Sequence, residues 1–293
     1  MELVFLNLCK GFEKLNIGYK KNLPFHKIKP TDYIVVLGSG KEVLKGYQQS
    51  NKIIAGIGLM THPAQWPTLF NDYPVAAYLQ HSTWTSKIYN RYFGNNNCKI
   101  WPVGIDTDFW KPKPNVTKSH LLIYVKFLWD REQNTENLLH PILAYLAAHQ
   151  INHQVITYGS YQLKDYKELL AESVGMIFLC EHESQGIAYQ EAMCMNVPIF
   201  AWDMGKWLDP SRFEWGEKEV VEASSVPYFD SLCGDKFQNL SEFENNFESF
   251  YAKALNNEYH PRNYVIENLS LEKSTSRMLD IIHEVYHYNL SNI

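Results

Sequence analysis

The amino-acid sequence predicts an α/β protein with parallel sheets, because short apolar runs alternate along the chain with segments of helical character. Each apolar run ends in turn residues, as the strands of βαβ units do. The predicted strands are DYIVVLGSG, NKIIAGIG, YPVAAYLQ, HLLIYVKF, HQVITYGS, VGMIFLC and VPIFAWD. The predicted helices are KEVLKGYQQ, TWTSKIYNRYF, TENLLHPILAYLAAHQ, LKDYKELLAES, YQEAMCM and, near the C-terminus, LSLEKSTSRMLDIIHEVYHY.

A segment rich in proline divides the chain into two predicted domains. The 293 residues suffice for two cores of ordinary size. The stretch WPVGIDTDFWKPKPNVTKS carries three prolines, which disfavour a continuous helix or strand. We therefore predict a first domain over residues 1–104, a second over residues 105–275, and a final helical segment over residues 276–293.

The composition bears on the partners and the location of the protein. The net charge of −5 gives no electrostatic support for a nucleic-acid partner. The five cysteines are scattered, with no CxxC pair, so we expect reduced, buried thiols and a cytoplasmic location. The N-terminus is too short and too charged for a signal peptide, and no segment approaches the apolar length of a membrane span. A peripheral membrane contact through basic and aromatic side chains stays open.

The segment EHESQGIAYQEAM, residues 181–193, is the clearest functional motif. The apolar run before it predicts a buried strand and QEAM predicts the start of a helix, with Gly186 in the turn. This arrangement directs backbone N–H groups and the positive end of a helix dipole at a ligand. Glu183 can reach hydroxyls at the loop, and Glu191 lies in the first turns of the helix. A nucleotide sugar suits such a pocket, while the plain alternative is two solvated glutamates.

At these residues the chain resembles the family 4 retaining glycosyltransferases of GT-B architecture. Their pattern is Glu-x7-Glu followed by Ala-Met and a Pro-containing strand, and here it stands as ESQGIAYQEAM with VPI after it. The segment PVGIDTDFWKP is similar to the hinge of the same family. The resemblance implies an α/β fold with two Rossmann-like domains, the N-terminal one shortened. It also implies that the C-terminal helix crosses back to the first domain.

The resemblance implies an activity as well. A sugar would pass, with retention of configuration, from a UDP-, GDP- or dTDP-sugar donor to a hydroxyl acceptor such as a glycan or a lipid-linked glycan, as in polysaccharide biosynthesis. No metal and no tightly bound cofactor are implied. The leaving phosphate itself is expected to take the proton of the acceptor.

Individual residues take roles from the same resemblance, supported by the need for positive charge where a diphosphate departs. The implied catalytic residues are Glu183 on the donor sugar, Lys126 and Arg131 on the diphosphate, and His62 facing the donor sugar. The implied nucleotide-binding residues are Glu191, Gly186, Ile187, Ala188, Gly159 and Ser160, and Tyr158 or Tyr161 could stack on the base. His81 begins a segment that resembles the strand-to-helix turn of the family and is a weaker candidate than His62. The alternative for the basic and histidine positions is an ordinary solvated or structural side chain.

Two other functions stay open. One is a catalytically degenerate GT-B domain that binds a nucleotide sugar or glycan as a partner subunit, which the short N-terminal half favours. The other is a GT-B sugar-nucleotide epimerase, which would need a further acid and base that the sequence does not clearly offer.

Two local patterns are not interpreted as ligand sites. Asp106-Thr107-Asp108 spells the D-x-D motif of metal–nucleotide sites but lies in the predicted hinge. LGSGKE is similar to a phosphate loop but lacks its first glycine.

Overall fold

The computed structural model describes residues 1–287, and the chain forms two compact units. Unit 1 comprises Met1–Gly104 and the chain from Leu269 onward, and unit 2 comprises Ile105–Asn268. Residues 269–275, which we assigned to the second domain, therefore group with unit 1. The reason is that the last helix already begins at Leu271 and packs on the first helix of the chain. Residues 288–293 of the predicted final segment lie outside the described residues.

Unit 1 is built on a four-stranded parallel sheet with the strands in chain order. The strands are β1 (Ile34–Ser39), β2 (Ile53–Gly58), β3 (Val75–Gln80) and β4 (Cys98–Ile100). The helices are α1 (Glu2–Lys14), α2 (Leu69–Asp72), α3 (Thr83–Phe93) and, from the end of the chain, α10 (Leu271–His287). At the crossing of α1 and α10 the backbones come close, since a Cβ on Gly11 would lie 1.9 Å from Thr275 Oγ1. Only glycine fits there.

Unit 2 contains a five-stranded parallel sheet in the order β6-β5-β7-β8-β9. Its strands are β5 (His120–Lys126), β6 (His153–Thr157), β7 (Ser173–Cys180), β8 (Ile199–Trp202) and β9 (Gly234–Phe237). Its helices are α4 (Arg131–Asn134), α5 (His140–Ala148), α6 (Leu163–Glu172), α7 (Ile187–Cys194), α8 (Leu240–Leu255) and α9 (Pro261–Asn268). Every residue of β7 is buried, as expected for a central parallel strand covered on both faces.

All seven predicted strands are present, but two helix predictions need correction. The segment KEVLKGYQQ forms only a short 3-10 turn, Lys41–Leu44, because Gly40 and Gly46 both have positive φ and interrupt a helix on either side. The helix predicted over residues 135–150 begins with a π-helical turn, Thr135–Leu139, before α5. Pro141 lies in the first turn of α5 and has no N–H to donate to the preceding turn.

No helix within residues 1–287 has both the length and the apolar composition needed to cross a bilayer. The five cysteines are all free and buried. Their burial agrees with the sequence-based expectation, and their reduced state stays a prediction.

Candidate functional site

The order of strands in unit 2 marks one edge of its sheet as the place for a ligand. From β5 the chain proceeds to β6 on one side and then to β7 on the other, so the connection reverses direction around β5. In open parallel sheets, ligands bind beyond the carboxyl ends of the strands at such a reversal. Here those ends are Lys126 at the close of β5 and the residues from Glu181 to Glu183 after β7.

Lys126 and Glu183 form an ion pair at this edge. Lys126 Nζ donates to Glu183 Oε1 at 2.5 Å, and the two side chains are 15% and 12% exposed. The ammonium group also lies 4.6 Å from the centre of the Tyr158 ring, a cation–π distance. Burial disfavours the charge on Lys126, but attraction to Glu183 outweighs it and raises the pKa of Lys126 above its usual value. A fixed positive charge is thus held at the end of β5.

The turn after β7 leads into α7 through Gly186, whose φ of +81° is in the left-handed region. Residues Ile187 and Ala188 open the helix and are half-buried. The residue before the helix, Gly186, has no side chain that could cap this end of α7. The first N–H groups of a helix have no partner inside the helix and attract anions, so the α7 N-terminus can hold a phosphate.

Gly186→Ala should disrupt this turn. A Cβ at Gly186 would lie 2.2 Å from Tyr189 Cε1, and the left-handed backbone adds strain of its own. We expect a loss of stability of roughly 2–4 kcal/mol, seen as a lowered Tm or denaturation midpoint. Gly216→Ala is the matched control, because Gly216 also has positive φ but no atom within 4 Å of its would-be Cβ. Equal losses in the two variants would contradict the steric explanation.

Glu191 lies deeper than its expected role suggests. The side chain is 7% exposed, and its carboxyl group accepts a hydrogen bond from the Trp110 side chain. Burial raises the pKa of Glu191 to about 8, although the bond from Trp110 acts in the opposite direction. At neutral pH much of this group is therefore a carboxylic acid, which can both donate and accept a hydrogen bond. A ribose hydroxyl can therefore form a hydrogen bond with this group either as donor or as acceptor.

Tyrosines line the neighbouring region of unit 2. The hydroxyls of Tyr124 and Tyr161 lie 2.9 Å apart, and Tyr166 donates to the carbonyl of Ala188 at 2.7 Å. Tyr166 and Tyr161 are both close enough to Glu191 for its charge to raise their pKa values, after burial as the main cause. The tyrosines thus link α6 to the first turn of α7.

The predicted loop at Gly159 and Ser160 is a tight turn after β6. Gly159 has φ +80°, and the Ser160 N–H donates to Thr157 at 3.0 Å. Both residues are exposed. Tyr158 is 54% exposed while Tyr161 is half-buried, so Tyr158 offers the more accessible ring for stacking.

The structure does not join Arg131 to the pair of Lys126 and Glu183. Arg131 is the first residue of α4, is exposed, and has no ion-pair partner among residues 1–287. The role of Arg131 on a diphosphate stays a prediction.

His62 and His81 belong to unit 1 and are both buried. His62 Nδ1 accepts the Ala64 N–H at 3.2 Å and caps a 3-10 turn, with Gln65 completing a capping box. His81 Nδ1 lies 3.3 Å from the Trp101 carbonyl, and burial lowers the pKa of His81 to about 4. A structural role accounts for the cap at His62, and its proposed contact with a donor sugar stays a prediction.

Sequence reasoning missed Glu181, although it directly follows β7. Its buried carboxylate accepts the N–H groups of Leu128 at 3.1 Å and Trp129 at 3.2 Å. Burial raises the pKa of Glu181, against the lowering effect of these N–H groups. The Trp129 ring in turn stacks on His182, with ring centres 4.9 Å apart. Glu181 thereby fixes the loop that follows Lys126, and a carboxylate at a strand end was the available signal.

Arg262 was also missed, and nothing near it in the sequence indicates its role. From α9 its guanidinium donates to the carbonyls of Trp110 at 2.7 Å, Thr107 at 3.0 Å and Cys194 at 2.5 Å. These bonds tie residues 107–110 to the end of α7. Arg262 thus positions the tryptophan that donates to Glu191. Asp106 accepts the Phe109 N–H at 3.1 Å in the same segment.

Comparison with known proteins bears on the fold. No protein-family model matches the sequence, and no curated protein matches it significantly. Among solved structures, S. aureus TarM is similar with a TM-score of 0.58 at 12% identity, over 95% of this chain and 58% of TarM. The lipopolysaccharide outer core galactosyltransferase WaaB has a TM-score of 0.53 at 12% identity, over 97% of this chain and 82% of WaaB.

The pneumococcal O-GlcNAc transferase GtfA, solved with UDP and GlcNAc, has a TM-score of 0.51 at 14% identity, over 86% of this chain and 57% of GtfA. This chain therefore spans somewhat more than half the length of TarM and of GtfA. Sequence identities this low support a shared fold and nothing more specific. The predicted fold class is confirmed: the chain has the two Rossmann-like domains of GT-B glycosyltransferases.

Proposed function

We propose that the protein is a retaining glycosyltransferase of the family 4 type, which moves a sugar from a nucleotide-sugar donor to a hydroxyl of a glycan or lipid-linked acceptor. The observation that carries the proposal is the pair of Lys126 and Glu183 beside the N-terminus of α7, at the reversal point of the unit 2 sheet. The motif ESQGIAYQEAM supports it from the sequence. The fold shared with TarM, WaaB and GtfA is compatible with sugar transfer.

The donor would bind in unit 2 through its nucleotide. The α7 N-terminus, at Gly186, Ile187 and Ala188, would hold the diphosphate, as helix N-termini hold anions. Glu191 would hydrogen-bond the ribose hydroxyls, and Tyr158 would offer its ring to the base beside the turn at Gly159. GtfA was solved with UDP, which is the kind of ligand that we propose for this edge.

The reaction would break the bond between the anomeric carbon and the diphosphate oxygen and form a bond to the acceptor oxygen on the same face. The acceptor proton passes to the departing phosphate, so no carboxylate nucleophile is required. Lys126, with Arg131 from α4, would neutralise the growing negative charge, and Glu183 would orient the hydroxyls of the donor sugar. Because these groups supply the positive charge, the proposal includes no metal. The free, buried cysteines support a cytoplasmic location.

The configuration of the product tests the proposal. The protein is incubated with UDP-, GDP- and dTDP-sugars and a panel of octyl glycosides, in the presence of a chelator, and the products are examined by NMR. We expect an octyl disaccharide whose new anomeric centre has the configuration of the donor. An inverted centre would contradict the retaining mechanism. An epimerised donor would favour an epimerase, and binding without any product would favour a degenerate domain.

A further inference from the structure

Unit 1 contains a cavity of about 790 Å³, separate from every residue assigned to the proposed reaction. It lies between strand β1, helices α1 and α10, and the segment of residues 17–33 that leads into β1. This volume is within the usual range of small-molecule pockets, roughly 300–1,000 Å³. The cavity is large enough for an extended organic ligand.

The walls of the cavity are largely apolar. They include Leu8 and Phe12 from α1, Leu23 and Ile28 from the segment, and Val36 from β1. The strand β1 has the apolar sequence IVVLG, yet all five of these residues are only half-buried, whereas the adjacent strand β2 is almost fully buried. Apolar walls offer water few hydrogen-bond partners and favour a hydrocarbon ligand.

The segment that forms the outer wall is held in place by its own contacts. Tyr19 donates its hydroxyl proton to the Glu13 carboxylate at 2.8 Å, which ties the start of the segment to α1. Asn51 donates to the carbonyls of Lys29 and Asp32, both at 2.9 Å, which ties its end to the residues before β2. A wall fixed at both ends needs little ordering when a ligand binds.

Charge at the edge of the cavity is positive on balance. Lys20 and Asp32 both line it and form an ion pair at 3.3 Å, so their charges compensate. Lys21 also lines it, is exposed, and has no ion-pair partner in the described part of the chain. His283 from α10 also lines the cavity. The rim thus offers an ammonium group to an anionic head group.

We propose that this cavity binds a single-chain anionic amphiphile, with the hydrocarbon chain along β1 and the acidic head group at Lys21. The site is distinct from the proposed sugar-transfer site, since none of the residues that line it has a role in that reaction. Phosphate and carboxylate head groups share the required charge, and comparison of the two distinguishes them.

Calorimetric titration of the full-length protein with n-alkyl phosphates tests the site. Chains of six to twelve carbons are used below their micelle concentrations. Each added methylene should tighten binding about fourfold until the cavity is filled. An alkyltrimethylammonium ion of the same length should bind about fivefold more weakly than the phosphate, because Lys21 repels it. The affinities of alkyl carboxylates of the same chain lengths show whether the rim binds a carboxylate or a phosphate head group more tightly.

Substitutions at the wall and the rim locate the binding. Leu23→Trp should weaken binding of the longest chain about tenfold by filling the cavity. Lys21→Glu should weaken binding of alkyl phosphates about fivefold. Lys27→Glu is the matched control, because Lys27 is exposed on the same segment but does not line the cavity. It should leave the affinity unchanged.

Affinity that does not depend on chain length would overturn the proposal, as would equal effects of Lys21→Glu and Lys27→Glu. If circular dichroism shows that Leu23→Trp does not fold, the chain-length series on the unaltered protein decides the question alone.

The rival occupant of the cavity is a second copy of the chain, and sedimentation of the same samples tests for it. A dimer that Leu23→Trp dissociates, without any binding of alkyl phosphate, would assign the cavity to a second copy of the chain and overturn the amphiphile site.

Discussion

Lys126→Met should lower the rate of sugar transfer by about 10²- to 10³-fold, roughly 3–4 kcal/mol of transition-state stabilisation. The physical reason is that Lys126 is a partly buried positive charge, held at the end of β5 by its 2.5 Å ion pair with Glu183. A charge fixed in this way stabilises a departing diphosphate without further rearrangement. The measurement is single-turnover kinetics with the donor and acceptor pair found in the product analysis.

A double-mutant cycle separates this role from loss of the ion pair. Glu183→Gln and the double variant complete the cycle, and we expect the pair to be coupled by about 1–3 kcal/mol. Lys164→Met is the matched control, because Lys164 is 83% exposed on α6. Unchanged turnover in Glu183→Ala would contradict the role of Glu183 on the donor sugar. A loss in the Lys164 variant as large as that in Lys126→Met would contradict a local effect.

Ionisation of the buried Glu191 should make a destabilising contribution to the fold that grows as pH rises. The pKa of Glu191 is raised by burial from 4.5 to about 8 in the folded protein. A group with a raised folded-state pKa contributes its full stability below the unfolded pKa, and the contribution is lost as pH rises through the folded value. Between pH 5 and pH 9 we expect the free energy of unfolding to drop by about 4 kcal/mol from this residue.

Glu191→Gln tests this dependence, because glutamine keeps the size of the side chain and cannot ionise. In urea denaturation at several pH values, the free energy of unfolding of the unaltered protein should decline by about 4 kcal/mol relative to that of Glu191→Gln between pH 5 and pH 9. Glu267→Gln, at an exposed position of α9, should leave the profile unchanged. If the profiles of the unaltered protein and of Glu191→Gln run parallel, Glu191 does not titrate in this range.

Much of the fold was predictable because the strands are strongly apolar. The runs HLLIYVKF and VGMIFLC became β5 and β7, which lie next to each other and are buried on both faces. Strands β4 and β9 were missed, since CKI and GDKF are short and have no apolar run. Helix α8 was also missed, although Phe243, Phe247, Phe250 and Ala254 recur at helical spacing and are buried.

The candidate site was predictable where it is local in sequence. Gly186 and the start of α7 follow from one strand–turn–helix motif. The contact between Lys126 and Glu183 joins residues 57 positions apart and depends on β5 and β7 being neighbours in the sheet. The burial of Glu191 depends likewise on Trp110, which Arg262 holds from a distant helix. Such contacts are set by tertiary packing and leave no local pattern.

A thermal-shift and calorimetric screen of nucleoside diphosphates in the presence of a chelator tests the central claim most directly, namely that unit 2 holds a nucleotide at the α7 N-terminus. We expect one of UDP, GDP, dTDP or ADP to raise the Tm and bind at one site, as a ligand that binds only the folded state must. Lys126→Met should weaken that binding, and Lys164→Met should not. Absence of any shift, or equal binding in the two variants, would contradict the account.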